Sequence, residues 1–130
     1  MSDAAPKVLR GPLEGADCQS CPFAKDGKAI NPVRGIGPEN PTWIAIAEGP
    51  GNQEVKTGIP LIGPTGQLFN KALQETGTKS DAIWRGNATL CLPTKPDEKL
   101  KQQAATACRG RLERELAMFP GRPVLALAQA

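Results

Sequence analysis

Four cysteines are the residues of this chain whose type and spacing point most directly to chemistry. Cys18 and Cys21 form a C-x-x-C pair, whereas Cys91 and Cys108 lie far downstream. A C-x-x-C turn directs two thiolates at one metal, and two further cysteines complete a set of four ligands. The residues alone predict a four-thiolate site and leave zinc and an iron–sulfur cluster open. The alternative is that Cys91 and Cys108 are inert buried thiols.

A second group of candidate residues follows a short apolar run at 42–47. The loop E-G-P-G begins there with Glu48 and Gly49, and Glu54 comes shortly after. Open α/β sheets bind ligands at the carboxyl ends of their strands, and glycines let the backbone approach a ligand closely. Two carboxylates at such a place suit general-base or electrostatic work on a polar substrate. An ordinary solvent loop with two surface glutamates is the competing interpretation.

Several classes of function are disfavoured by what the 130 residues lack. There is no histidine and no tyrosine, which excludes Ser-His-Asp and Cys-His catalysis and histidine-ligated zinc within this chain. Neither G-x-x-x-x-G-K-[ST] nor a G-x-G-x-x-G after the first strand occurs, which argues against P-loop and dinucleotide sites. A net charge of +3 permits a nucleic-acid partner without establishing one.

The elements that must position these residues alternate along the chain. Apolar runs at 42–47, 82–87 and 123–128 predict strands, and helices are expected between Gly66 and Gly77 and from Asp97 to just before Pro120. Such an alternation predicts one α/β domain, 1–130, with a central parallel sheet. Its core is expected at 42–130, preceded by a Gly/Pro-rich loop region at 1–41, and a long polar connection is expected before Gly58.

The expected location follows from the absence of targeting signals. No apolar run approaches the roughly 18 residues that a membrane span needs, and the first residues contain acids rather than an apolar signal segment. We therefore expect a cytoplasmic protein with no membrane partner. In that compartment cysteines are more often metal ligands than disulfides.

Five motifs follow one another over most of the chain: the C-x-x-C before the first strand, E-G-P-G-x-x-E from Glu48, T-G-I-P-L-I-G around Leu61, G-Q-L at 66–68, and N-x-x-x-C-x-P from Asn87. Taken together and in this order, they closely resemble the uracil-DNA glycosylase superfamily, and the family-4, iron–sulfur branch in particular. The resemblance implies a three-layer α/β/α fold. It also implies hydrolysis of the N-glycosidic bond of a uracil flipped out of DNA, in base excision repair.

The same resemblance implies a role for each site residue. It assigns Glu48, Gly49 and Glu54 to the catalytic motif around the flipped uracil and the attacking water. Leu61 and Asn87 would contact the base, with the amide reading its Watson–Crick edge. The four cysteines would hold a 4Fe–4S cluster, with zinc as the alternative; they are Cys18, Cys21, Cys91 and Cys108.

Two departures from the family pattern shape the expected activity. Leu61 stands where the family has a phenylalanine that stacks on uracil, so a π-face is missing. The family's later motif with a His-Pro pair is not present in these 130 residues, so by this comparison we expect a domain that lacks about its C-terminal third. We therefore expect either a glycosylase, completed in one version by a second polypeptide, or an impaired iron–sulfur module that binds DNA or a partner.

Overall fold

The computed structural model describes residues 7–25, 32–92 and 97–127. Its sheet has five strands in the order β1-β2-β4-β3-β5, where the strands are β1 (Val8–Arg10), β2 (Ile36–Pro38), β3 (Trp43–Ala47), β4 (Ile83–Asn87) and β5 (Val124–Leu127). Strands β3, β4 and β5 are parallel, as predicted. The last residue of the predicted strand at 123–128 lies outside the described part of the chain.

The sheet extends further than the sequence analysis expected. We interpreted 1–17 as irregular and 25–41 as loop, yet β1 pairs antiparallel with β2, and β2 pairs with β4 at Ile36 and Arg85. Both strands are three residues long and contain or adjoin glycine and proline, so no alternating pattern marks them. The N-terminal region therefore adds an antiparallel margin to the parallel core.

The helices are α1 (Pro22–Lys25), α2 (Asn52–Thr57), α3 (Pro64–Glu75) and α4 (Glu98–Ala117). Helix α4 begins where predicted, because the Asp97 side chain accepts hydrogen bonds from the amides of Lys99 and Leu100. Helix α2 occupies the stretch that we expected to be a polar connection. It is short and mostly exposed, and Glu54 is its one buried residue, so it carries no apolar period.

Two apolar clusters flank the sheet and make it the middle layer of three. Alternate residues of β3 point to opposite faces: Ala45 and Ala47 join the cluster that contains Phe69 and Leu73 of α3. On the other face lies the cluster of Ile44, Ile46, Trp84 and Phe119, against which Leu112 and Leu116 of α4 pack. The three-layer α/β/α arrangement is confirmed. It leaves the carboxyl ends of β3 and β4 open between the helices.

Candidate functional site

A cleft of about 780 Å³ opens at the carboxyl ends of β3 and β4. Parallel pairing places Ala47 beside Asn87, and the loops stay together because the Thr89 amide donates to the Glu48 carbonyl over 3.2 Å. The predicted catalytic and base-contacting residues all line this cleft: Glu48, Gly49, Glu54, Leu61 and Asn87. The structure thus brings together residues that lie up to forty positions apart in sequence.

Asn87 supplies an unpaired hydrogen-bond donor to the cleft. The residue is 1% exposed, and its Nδ2 has no acceptor among the residues that the structure describes. A buried donor without a partner costs about 1–3 kcal/mol, so proteins seldom keep one without use. Because Asn87 also lines the cleft, a ligand carbonyl entering there would satisfy it.

Glu54 acts as a clamp between two loops of the cleft. Its Oε1 accepts from the Gly51 amide at 2.9 Å, and its Oε2 accepts from the amides of Ile62 at 3.0 Å and Gly63 at 2.7 Å. The carboxylate therefore ties the E-G-P-G loop to the segment that follows Leu61. This holding role differs from the general-base work that we expected from the sequence, because three backbone donors already use its oxygens.

The pKa of Glu54 reflects both its burial and these hydrogen bonds. Burial raises the pKa of the carboxyl, but the bonds from the Gly63, Ile62 and Gly51 amides lower it, and the net direction is downward from 4.5. Hydrogen bonds to the charged form stabilise the carboxylate. Glu54 is therefore ionised at neutral pH.

We expect Glu54→Gln to lower the free energy of unfolding by about 1–3 kcal/mol at pH 7, because an amide NH2 cannot accept from backbone amides. Since folding lowers the pKa, the contribution of the carboxylate is fully present above 4.5 and is lost as the pH falls through the lower folded value. Urea unfolding at several pH values measures this, with the exposed Glu75→Gln as control. A difference between wild type and variant that grows on acidification would contradict it.

Glu48 and Gly49 form the edge of the cleft beside Thr89. The Glu48 carboxylate is exposed, so it can meet water, whereas its carbonyl accepts from the Thr89 hydroxyl over 3.2 Å. A Cβ on Gly49 would lie 2.9 Å from that hydroxyl, which is too close for any side chain to fit unchanged. Of the two predicted carboxylates, Glu48 is the one placed to contact a water molecule.

Leu61 lies in the cleft wall in an unusual backbone conformation. Its φ is 57°, the left-handed region that non-glycine residues rarely adopt, and its side chain is buried against Phe69 and Leu73. The Glu54 bonds to the next two residues hold the backbone in this turn. Gly66 makes the turn possible, since a Cβ there would collide with the Leu61 carbonyl.

The cysteine-bearing N-terminal segment packs on helix α4. The Asp17 amide donates to the Ala107 carbonyl over 2.8 Å, and Gly15 and Gly110 approach so closely that a Cβ on Gly110 would lie 2.7 Å from the Gly15 carbonyl oxygen. This contact brings Cys18 to the helix that carries Cys108.

The four thiols are near neighbours in the structure. Burial raises the pKa of Cys91 to about 11, and the charges of Cys21, Cys108 and Cys18 raise it as well. In the described part of the chain, no three cysteine or acidic side chains lie close enough together to hold one metal ion. The four cysteines therefore lie in one region of the molecule, but their sulfurs are not arranged around one ion.

Sequence reasoning missed a buried charged network beneath the site. Arg111 and Glu115 are both fully buried on α4, form an ion pair, and connect to Trp84 of β4, whose indole Nε1 donates to Glu115 at 2.7 Å. We expected the buried face of α4 to follow leucines and Cys108, but those residues are only partly buried. An arginine and a glutamate four positions apart were the available signal, although such pairs are usually exposed.

Comparison with known proteins adds family evidence to this geometry. The model of the Uracil DNA glycosylase superfamily matches residues 34–130. Three relatives are named Type-4 uracil-DNA glycosylase. The one from Thermotoga maritima is 33% identical over 58% of this chain and 38% of its own length, and the one from Archaeoglobus fulgidus is 29% identical over 58% of this chain and 37% of its own length. The one from Sulfurisphaera tokodaii is 26% identical over 76% of this chain and 45% of its own length. The chain thus spans less than half the length of these relatives. Among the helices described, none is long and apolar enough to cross a membrane.

Proposed function

Because the chain belongs to the uracil-DNA glycosylase superfamily, we propose that its cleft binds a uracil flipped out of DNA and hydrolyses the N-glycosidic bond. The observation that carries the proposal is the buried Nδ2 of Asn87 in that cleft, for which the described residues offer no acceptor. Uracil presents a carbonyl oxygen, O4, where cytosine presents an amine, so a fixed donor accepts uracil and opposes cytosine. The relatives named as uracil-DNA glycosylases support the same assignment.

The chemistry follows from charge development at the two ends of the breaking bond. As the bond from C1′ to N1 breaks, its electron pair passes to the uracil ring, and the Asn87 donor at O4 stabilises the resulting anion. Water adds its hydroxide to C1′ and releases a proton to solvent, and the exposed Glu48 carboxylate orients that water and faces the positive sugar. The products are an abasic site and free uracil, which solvent protonates.

We also propose that the four cysteines hold a 4Fe–4S cluster that supports the fold around the site. Four cysteines are a donor set that suits such a cluster, and Cys21, Cys108 and Cys18 lie close enough to Cys91 for their charges to raise the pKa of its thiol. Anaerobic purification should give a brown protein with four irons per chain and a broad absorption band in the visible range. A colourless protein with one zinc would refute this cofactor.

Uracil release from a single-stranded oligonucleotide tests the glycosylase proposal. Purified, iron-loaded chain should leave alkali-labile abasic sites at uracil and none at cytosine in a matched oligonucleotide. Release no greater than that of Asn87→Ala would refute the activity.

A second candidate function is the binding of uracil-containing DNA without cleavage. It is favoured by Leu61, whose missing π-face weakens base stacking, and fluorescence anisotropy would show it. Completion by a second polypeptide remains a prediction that no comparison supports.

A further inference from the structure

Arg111 contacts two parts of the molecule that the proposed function treats separately. Its Nε donates to the sulfur of Cys108 over 3.3 Å. Its Nη2 donates to the carbonyl of Asn87 over 2.8 Å and to that of Ala88 over 3.2 Å. One buried guanidinium therefore contacts both a cysteine of the cluster site and the backbone of the base-contacting residue.

The surroundings of Arg111 hold its side chain in one orientation. Its Nη1 pairs with Glu115, which in turn accepts from the indole of Trp84 over 2.7 Å. Glycines make room for this carboxylate: a Cβ on Gly11 would lie 2.8 Å from its oxygen, and a Cβ on Gly35 or Gly86 would lie closer still. A planar guanidinium with all three nitrogens engaged, fully buried, has little freedom to move.

A purely structural role explains the ion pair but not the other contacts. A buried pair seldom stabilises a fold more than apolar residues of the same size, so a stability role alone is a weak reason to bury Arg111. The Cys108 contact adds a charge-assisted donor to a sulfur, and such donors set the reduction potential of iron–sulfur clusters. The Asn87 contact fixes the strand end from which the side-chain amide of Asn87 projects.

We infer that Arg111 is a positioning residue that couples the Cys108 sulfur of the cluster site to the Asn87 backbone of the base pocket. The inference rests on the proposed function, because it uses both the uracil pocket and the cluster. Its consequence is that one side chain adjusts the cluster potential and the affinity for uracil together.

Arg111→Lys and Glu115→Gln form a matched pair for the test. Lysine keeps the charge next to Glu115 but places a methylene where Nε donates to Cys108, and its single nitrogen cannot also reach both carbonyls. Glutamine keeps the acceptor for Trp84 and leaves the contacts of Arg111 to Cys108 and Asn87 in place. Both variants weaken the same buried ion pair, so a role in stability alone affects them alike.

The measurements are the cluster potential by film voltammetry, uracil binding by calorimetry and the melting temperature, all on iron-loaded protein. We expect Arg111→Lys to make the potential more negative, because the Cys108 sulfur loses a donor, and to weaken uracil binding roughly tenfold, because the backbone that positions the Asn87 amide is no longer held. Glu115→Gln should make the potential more positive, because a negative charge is removed. If Arg111→Lys does not fold, the double variant Arg111→Met/Glu115→Gln takes its place, because it removes both charges of the ion pair. Its cluster potential should be more negative than that of Glu115→Gln alone.

The failures of the two proposals are distinguishable. The inference is overturned if the cluster potential of Arg111→Lys equals that of wild type, or if the potentials of both variants shift in the same direction. In that case the proposed function still stands, provided that the wild type binds uracil. The proposed function is refuted if the wild type binds no uracil. If the potentials of Arg111→Lys and Glu115→Gln nevertheless shift in opposite directions, the role of the Cys108 contact is supported. A wild-type chain that takes up no iron overturns the inference.

Discussion

Asn87→Ala is expected to lower the rate of uracil release by about 10²–10³-fold, the usual cost of removing one donor that stabilises developing charge. The donor is the buried Nδ2, which has no acceptor among the described residues and which faces the cleft. Single-turnover cleavage of a uracil-containing oligonucleotide measures the loss in the chemical step. Product release does not mask the effect under those conditions.

The same variant should keep the free energy of unfolding within about 1 kcal/mol of wild type. Removing an unsatisfied buried donor relieves a cost of about 1–3 kcal/mol, which offsets the packing lost with the side chain. Urea unfolding checks this. A variant that is both inactive and strongly destabilised would show that Asn87 supports the fold rather than the chemistry.

Asn87→Asp is a sharper companion because it changes the pattern of donors with little change in shape. An ionised aspartate can only accept, so it opposes uracil O4 and suits the amine of cytosine. We expect uracil release to fall as in Asn87→Ala, while the ratio of cytosine to uracil release rises. An unchanged base preference would place the recognition of the base elsewhere in the cleft.

Gly66→Ala is expected to lower the free energy of unfolding by about 3 kcal/mol or more and to abolish activity. A Cβ at this position overlaps the carbonyl carbon and oxygen of Leu61, which are backbone atoms that cannot rotate away. Relief requires moving the turn at Leu61, and with it the loop that Glu54 holds through Ile62 and Gly63. Chemical denaturation and the oligonucleotide assay measure the two effects.

The sign of the Gly66→Ala effect is itself informative. Gly66 lies in helix α3, where alanine normally stabilises by about 0.5–1 kcal/mol relative to glycine. The exposed Lys71→Ala on the same helix is the control and should change stability by less than about 0.5 kcal/mol. A stabilised Gly66→Ala would mean that the turn at Leu61 does not pack against the helix as the structure shows.

Much of the site could be predicted because the strands that carry it are parallel. Apolar runs ending at Ala47 and Asn87 predicted two parallel strands, and parallel neighbours place their carboxyl ends at one edge. Glu48, Gly49 and Asn87 were therefore expected at the same edge of the sheet, and the pairing of β3 with β4 made them neighbours. The C-x-x-C pair and the two later cysteines predicted that the four thiols lie in one region, because cysteines with this spacing commonly bind one metal centre.

The strands β1 and β2 could not be predicted, because strands of only three residues gain their stability from pairing with their neighbours and not from an apolar pattern of their own. The direction of a polar side chain is equally invisible in sequence. Glu54 and Glu48 lie six positions apart with the same chemistry, yet one clamps backbone amides and the other faces solvent.

By itself the sequence determined the parallel core, the family and the identity of the residues at the cleft, because apolar period and motif spacing are local and survive without coordinates. Only the tertiary structure decided which polar groups are satisfied. Within the part of the chain that the structure describes, it left the Asn87 donor without an acceptor, engaged the Glu54 oxygens and buried Arg111 between Cys108 and Asn87. The reason is that hydrogen-bond partners come from residues distant in sequence, and folding alone brings them within reach.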